Sequence, residues 1–153
     1  MELDRYHLLF PRLQHVVATR VKFGWGEGSD KDLFQIGGPD GLRGYSRKTV
    51  AGAHMLLGGI EYRLPIRSDM RWRAPGRLFS LDKIQAVGFF DAGRAWYASY
   101  RAADFKKDAG LGVRVHLNIL GFLEKAVLRL DVAQAINEPK EEPHVWFGLS
   151  QAF

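Results

Sequence analysis

The chain has 153 residues, 46% of them hydrophobic, with 22 Lys and Arg against 17 Asp and Glu and a net charge of +5. That length suits one ordinary domain, and that composition excludes a disordered tail. Cysteine is absent, which excludes disulfides and thiolate metal sites.

The basic excess suits an anionic lipid surface or a nucleic acid, although scattered solvated charge gives the same sum. Its one cluster is SDMRWRAPGRLFSLDK, Ser68 to Lys83. The opening MELDRYHLLF lacks the basic start and apolar run of a signal peptide. No window approaches the ~18 uncharged apolar residues of a membrane-crossing helix. Crossing by strands stays open, because a barrel strand needs only about 10 alternating residues.

Taken in order, the chain alternates with a period of two. Leu3 to Phe10 is the weakest candidate strand. His15 to Trp25 sets Val17, Val21, Phe23 and Trp25 against Arg20, Lys22 and Gly24. A long connection follows, Gly26 to Gly52, and it holds the turn-rich stretch GGPDGLRGY. Ala53 to Leu64 reads as an apolar strand that carries Glu61. After a connection over Pro65 to Lys83 comes Ile84 to Trp96, another apolar strand. Parity there puts Asp91 with Val87, Gly93 and Ala95. A polar connection from Trp96 to Asp108 leads to Ala109–Ile119. In that strand Leu111, Val113, Val115, Leu117 and Ile119 point one way; Gly110, Gly112, Arg114, His116 and Asn118 point the other. Leu120 to Lys125 is a short link. Val127 to Ile136 sets Leu128, Leu130, Val132, Gln134 and Ile136 against Arg129, Asp131, Ala133 and Ala135. Asn137 to Pro143 is a short charged link. Last, Val145 to Phe153 sets Val145, Phe147, Leu149 and Phe153 against Trp146, Gly148, Ser150 and Ala152.

The prediction is all-β, about seven strands of ~8–12 residues, longer than the ~5–6 usual in soluble domains. One face is aliphatic and aromatic; the other carries glycine, arginine and aspartate. Trp25, Tyr62, Trp96, Trp146 and Phe153 stand near strand ends, as interfacial girdles do. Long connections alternate with shorter ones, as in a barrel with two unlike rims.

The chemistry-bearing patterns exclude more than they assign. GGPDGLRGY lacks the Lys-Ser/Thr ending and the following helix of a phosphate loop or dinucleotide fingerprint. The histidines at 7, 15, 54, 116 and 144 have no metal-binding spacing, and no nucleophile elbow occurs. No catalytic residue, metal site or cofactor is expected. Asp91 is a lone carboxylate in an apolar, small-residue strand; unpaired and dry it would cost several kcal/mol. It calls for a cation such as Arg114, or for water in a lumen.

The ordered set GGPDGLRGY, GGIEYRLPI, FFDAGRAW, DAGLGVRV, LRLDVAQAI and FGLSQAF resembles the C-terminal barrel of the outer-membrane protein assembly superfamily. That superfamily includes the BamA and TamA insertases, bacterial surface antigens and two-partner secretion transporters. The resemblance covers roughly Arg12 to Phe153. It implies an antiparallel transmembrane β-barrel segment, about seven strands of a barrel of about sixteen, in the bacterial outer membrane. It implies that the 26–52 loop folds into the lumen with Leu42, Arg43, Gly44 and Tyr45 at its tip, turned by Gly37, Gly38 and Pro39. It implies that Arg43 is pinned to Asp91 of the Phe89-x-Asp91-x-Gly93 motif, that Tyr45 packs beside it and that Glu61 is a second acceptor. Phe153 would be the C-terminal assembly signal.

Seven strands cannot close such a barrel, and the substrate-receiving repeats of the family are absent. The chain therefore reads as the C-terminal part of a larger protein. The implied partners are outer-membrane lipid, unfolded or secreted client proteins and the barrel assembly machinery, with no nucleic acid. The implied function is non-enzymatic protein insertion or translocation. Two alternatives stand beside it: a barrel that anchors an upstream activity such as a hydrolase, and a soluble β-rich binding module.

Overall fold

The computed structural model describes residues 1–10, 13–26, 34–68, 70, 72–73, 79–97, 105–119, 123–138 and 142–151. The strands are β1 (Glu2–Phe10), β2 (His15–Trp25), β3 (Phe34–Ile36), β4 (Val50–Gly52) and β5 (His54–Arg67). They continue with β6 (Trp72–Arg73), β7 (Phe79–Trp96), β8 (Lys106–Ile119), β9 (Leu123–Ala135) and β10 (His144–Gln151). No helix occurs among the described residues.

One antiparallel sheet runs β1-β2-β5-β7-β8-β9-β10, with β6 added alongside β7. Each long strand pairs with the next long strand in sequence, the simplest up-and-down order. Seven long strands are what the period of two predicts. β1 and β10 close the order at its two ends, and each pairs on one side only among the described residues.

The structure departs from the sequence expectations in three places. β5 runs on to Arg67 and β7 begins at Phe79, so the connection expected over Pro65 to Lys83 is shorter. The segment Ser80-Leu81 pairs with Asn118-Leu117, and Asp82 accepts from Asn118. Ladder and side-chain bonds outweigh the polar, turn-like look of SLDK. Next, the long 26–52 connection carries its own hairpin, β3 with β4, in register Phe34↔Gly52 to Ile36↔Val50. Finally, β8 begins at Lys106, which takes Asp108 out of the expected loop and into the sheet.

Register sorts the residues into two faces. Gly59, Asp91, Asp108 and Ala135 form one inner row across four strands. Glu61, Phe89, Gly110 and Ala133 form the next. The opposite face presents Ile60, Phe90, Leu111, Leu130, Val145 and Phe147, all exposed, with Leu111 at 72% and Phe147 at 73%. An open apolar face of this extent suits a hydrocarbon surround rather than water. At one end of that face Trp25 stacks on His54 at 3.9 Å and His54 meets Trp96 at 5.7 Å, an aromatic cluster of the kind a girdle provides.

Candidate functional site

The connection between β2 and β5 folds over the inner face. Ile36, Leu42 and Tyr45 bury themselves against Leu57, Ala95 and Ala135, with Val50 and Met55 at the margin. This apolar cluster holds the loop down on β5, β7 and β9. The reversal starts at Gly37 and Gly38, with φ of +130° and +87°, values that L side chains rarely adopt. The Gly38 amide then donates to the carbonyls of Leu42 at 3.0 Å and Tyr45 at 3.1 Å. The tip is thus a closed turn, and Leu42, Arg43, Gly44 and Tyr45 are all buried.

Arg43 reaches from this tip into the inner face. Its Nε donates to Asp91 Oδ2 at 2.6 Å and its Nη2 to Asp91 Oδ1 at 3.0 Å. Its Nη1 donates to Glu61 Oε1 at 2.6 Å and lies 3.6 Å from Asp131 Oδ2. The guanidinium carbon also lies over Phe89, 3.4 Å from the ring centroid. Planarity and a forked set of donors let one arginine serve all of these at once. Burial alone would lower the Arg43 pKa; the hydrogen bond and charge of Asp91, with those of Glu61, outweigh it and raise the value above the ordinary one.

Arg114 is not the cation that Asp91 takes. It donates to both oxygens of Asp131, at 2.5 and 3.1 Å, and to Glu61 Oε1 at 3.3 Å. In register it stands opposite Gln85, six positions before Asp91 on β7. Arg114 therefore braces the two carboxylates on either side of Arg43. Arg63 adds a contact to Glu61 Oε2 at 2.9 Å.

Further contacts anchor the tip, two of them from residues that the sequence patterns do not link to the loop. Trp146 donates from its indole Nε1 to the Arg43 carbonyl at 2.6 Å. Trp146, counted above with the girdle aromatics, in fact shares the inner face with Asp131, its partner in register. Arg129 Nη2 donates to the Pro39 carbonyl at 3.0 Å and to Asp40 Oδ1 at 3.3 Å. The Tyr45 hydroxyl donates to the Lys107 carbonyl at 3.3 Å. Gly44 is pressed onto the wall: a Cβ there would come within 2.5 Å of Asp108 Cβ and 2.7 Å of the Ala135 nitrogen. Asp108 is itself fully buried opposite Asp91.

The structure thus brings together Leu42, Arg43, Gly44, Tyr45, Asp91 and Glu61. Gly93 is buried in β7 opposite Leu57, beside the site rather than in it, and Gly37 and Gly38 form the turn behind it. Phe153 lies outside the described residues. Alternation alone put Arg129, Asp131 and Trp146 on the inner parity; nothing local linked them to the loop. A polar cavity of about 170 Å³ adjoins the tip, lined among others by Asp4, Arg20, Arg43, Glu61 and Arg63. The arrangement is an anchor for a loop, with the Arg43 guanidinium matched to the carboxylates of Asp91 and Glu61.

A family model described as the Omp85 superfamily domain matches residues 1–153. No curated protein and no solved structure matches the chain.

Proposed function

Because the chain belongs to the Omp85 superfamily along its whole length, residues 1–153, we propose that it is an outer-membrane barrel segment that serves protein insertion or translocation. In this reading the loop tip is held in the lumen by Arg43 and organises the barrel wall around the path that client proteins take. The observation that carries it is the placement of Arg43: a buried guanidinium from a long loop, bound to Asp91 and Glu61 on two wall strands. The apolar outer face supports a lipid surround, and the family supports the bacterial outer membrane as its location. Outer-membrane lipid, unfolded or secreted client proteins and the barrel assembly machinery are the partners this reading implies.

The test uses the native polypeptide in its outer membrane. Arg43→Ala and Asp91→Ala each should impair assembly or secretion of client proteins. The double exchange Arg43→Asp with Asp91→Arg should recover part of the loss. If the exchange does no better than either single change, the direct pair is not what the function needs. If the single variants assemble normally and every client is handled as before, the barrel is an anchor and its activity lies elsewhere in the polypeptide.

A further inference from the structure

We propose that Asp108 is a positioning residue of the loop site and works as a neutral carboxylic acid. It donates its proton to Asp91 and accepts from the Gly44 amide, so the tip stays seated only while Asp108 keeps that proton. The inference rests on the lumen-loop reading above and adds the proton that seating needs.

Asp91 and Asp108 stand opposite each other on β7 and β8, and both are fully buried. Like charges directly opposite one another destabilise a sheet, and two carboxyl groups that share a dry site do not both ionise. An ionised carboxylate only accepts hydrogen bonds, whereas a protonated one also donates. Asp91 is the member that stays charged, because Arg43 grips both of its oxygens. No cation is left for its neighbour. The three side-chain nitrogens of Arg43 are committed to Asp91 and Glu61, and Arg114 is committed to Asp131 and Glu61. Among the described residues no Lys, Arg or His is ion-paired with Asp108.

The groups that face Asp108 are Asp91 from β7 and, from the loop, Arg43 and the Gly44 main chain. β9 brings Ala135. Lys106, two positions back on the same face, is paired with Glu138. A neutral carboxyl suits both polar neighbours at once, with its O–H on Asp91 and its C=O under the Gly44 N–H. Gly44 sits so close to Asp108 that a Cβ does not fit between them. When the proton leaves to water, two negative charges face each other beneath the tip, and the tip lifts to let water in.

Infrared difference spectra of the native polypeptide in lipid bilayers test the proton itself. A protonated carboxyl has a C=O band that carboxylates lack. At about pH 6, well above the ~3.9 of an ordinary aspartate, that band should be present and Asp108→Asn should remove it. A spectrum with no band assigned to Asp108 overturns the proposal.

Amide exchange at residues 43–45 tests the coupling. The seated state holds one proton more than the open one, so by linkage seating weakens as pH rises. The ratio of wild-type to Asp108→Asn exchange cancels the pH dependence of the exchange chemistry. It should be flat in acid and then climb about tenfold per pH unit once Asp108 loses its proton. Asp108→Asn keeps the shape, a donor toward Asp91 and an acceptor toward Gly44, so its tip should stay protected at every pH. Asp108→Ala should expose the tip at every pH. A ratio that is flat throughout, or an Asn variant as open as the Ala variant, overturns the proposal. The unaltered protein provides a check free of folding defects: its tip amides should lose protection with rising pH while amides midway along the strands do not, and equal loss at both overturns the idea. Client-transport assays on the same variants separate the two readings. An Asp108 band with transport intact in Asp108→Ala sinks the insertion reading and keeps the proton; impaired transport with no such band sinks the proton alone.

Discussion

Arg43 holds both oxygens of Asp91, at 2.6 and 3.0 Å, from 48 positions upstream. Two independent N–H···O bonds fix the plane of the guanidinium, and the third nitrogen is then aimed at Glu61 on the neighbouring strand. Closing so long a loop costs chain entropy that grows only slowly with length. The apolar cluster under Leu42 and Tyr45 and the charge matching at Arg43 both offset it.

Truncation of this arginine strips buried Asp91 of its bidentate cation, whereas Glu61 keeps Arg63 and Arg114. Arg43→Ala should therefore cost about 3–5 kcal/mol, the usual penalty for removing one partner of a buried ion pair. Arg43→Lys should fall between, since one ammonium cannot make the fork. Urea midpoints of the reconstituted protein, followed by heat-modifiable gel mobility, report both. A wild-type midpoint for Arg43→Ala would mean that the pair contributes nothing to the fold.

Gly44→Ala tests the close approach of tip and wall without touching any charge. The added methyl meets Asp108 Cβ and the backbone of Gln134 and Ala135, at 2.5 to 2.7 Å. Backbone cannot step aside, so the tip must lift, at a cost of about 1–3 kcal/mol. The expected signature is new protease cleavage within residues 37–49 while the strands stay protected. An uncut loop would show that the tip sits farther from β8 and β9.

Salt should separate buried from exposed ion pairs. At 1 M salt the Debye length falls to about 3 Å, which screens Glu2–Lys22, whose side chains are 49% and 23% exposed. Arg43–Asp91, at 3% and 0%, is out of reach of the ions. Loop protection should be unchanged from 0.1 M to 1 M salt. A loop released by salt would place water between the two groups.

Neighbouring positions on β10 should respond in opposite ways. Phe147 is on the outer face, and Phe147→Arg should cost up to about 2–4 kcal/mol in a bilayer and reduce assembly. Gly148 faces inward, where an added Cβ would meet Arg129, with Nε at 3.5 Å and Nη2 at 4.0 Å, ordinary contacts. Gly148→Ala should change the urea midpoint little, within ~0.5 kcal/mol. Equal sensitivity at both positions would contradict the two-faced reading of the strand.

The sequence by itself determined the seven long strands and which of their side chains share a face. Side-chain direction in a strand repeats every two residues, so alternation is a local property that any extended segment displays. Asp91, Arg114, Arg129, Asp131 and Trp146 were all legible in this way as members of the inner parity. Only the tertiary structure decided which of them meet. Arg114 and Asp131 find each other because β8 pairs with β9 in the register Gly112↔Asp131, whereas the same registers leave Arg114 six positions along β8 from Asp108, the residue opposite Asp91, or about 20 Å at ~3.3 Å per residue. Trp146 could be read from its neighbours either as a rim aromatic or as an inner one, and only the loop carbonyl that it binds distinguishes the two. Asp108 looked like loop because it follows a polar run; pairing with Asp91 and Ala135 drew it into the sheet. Faces follow from the local geometry of one strand, but partners depend on register and on where a long loop comes to rest. Those are set by contacts between residues far apart in the chain, which no local pattern encodes.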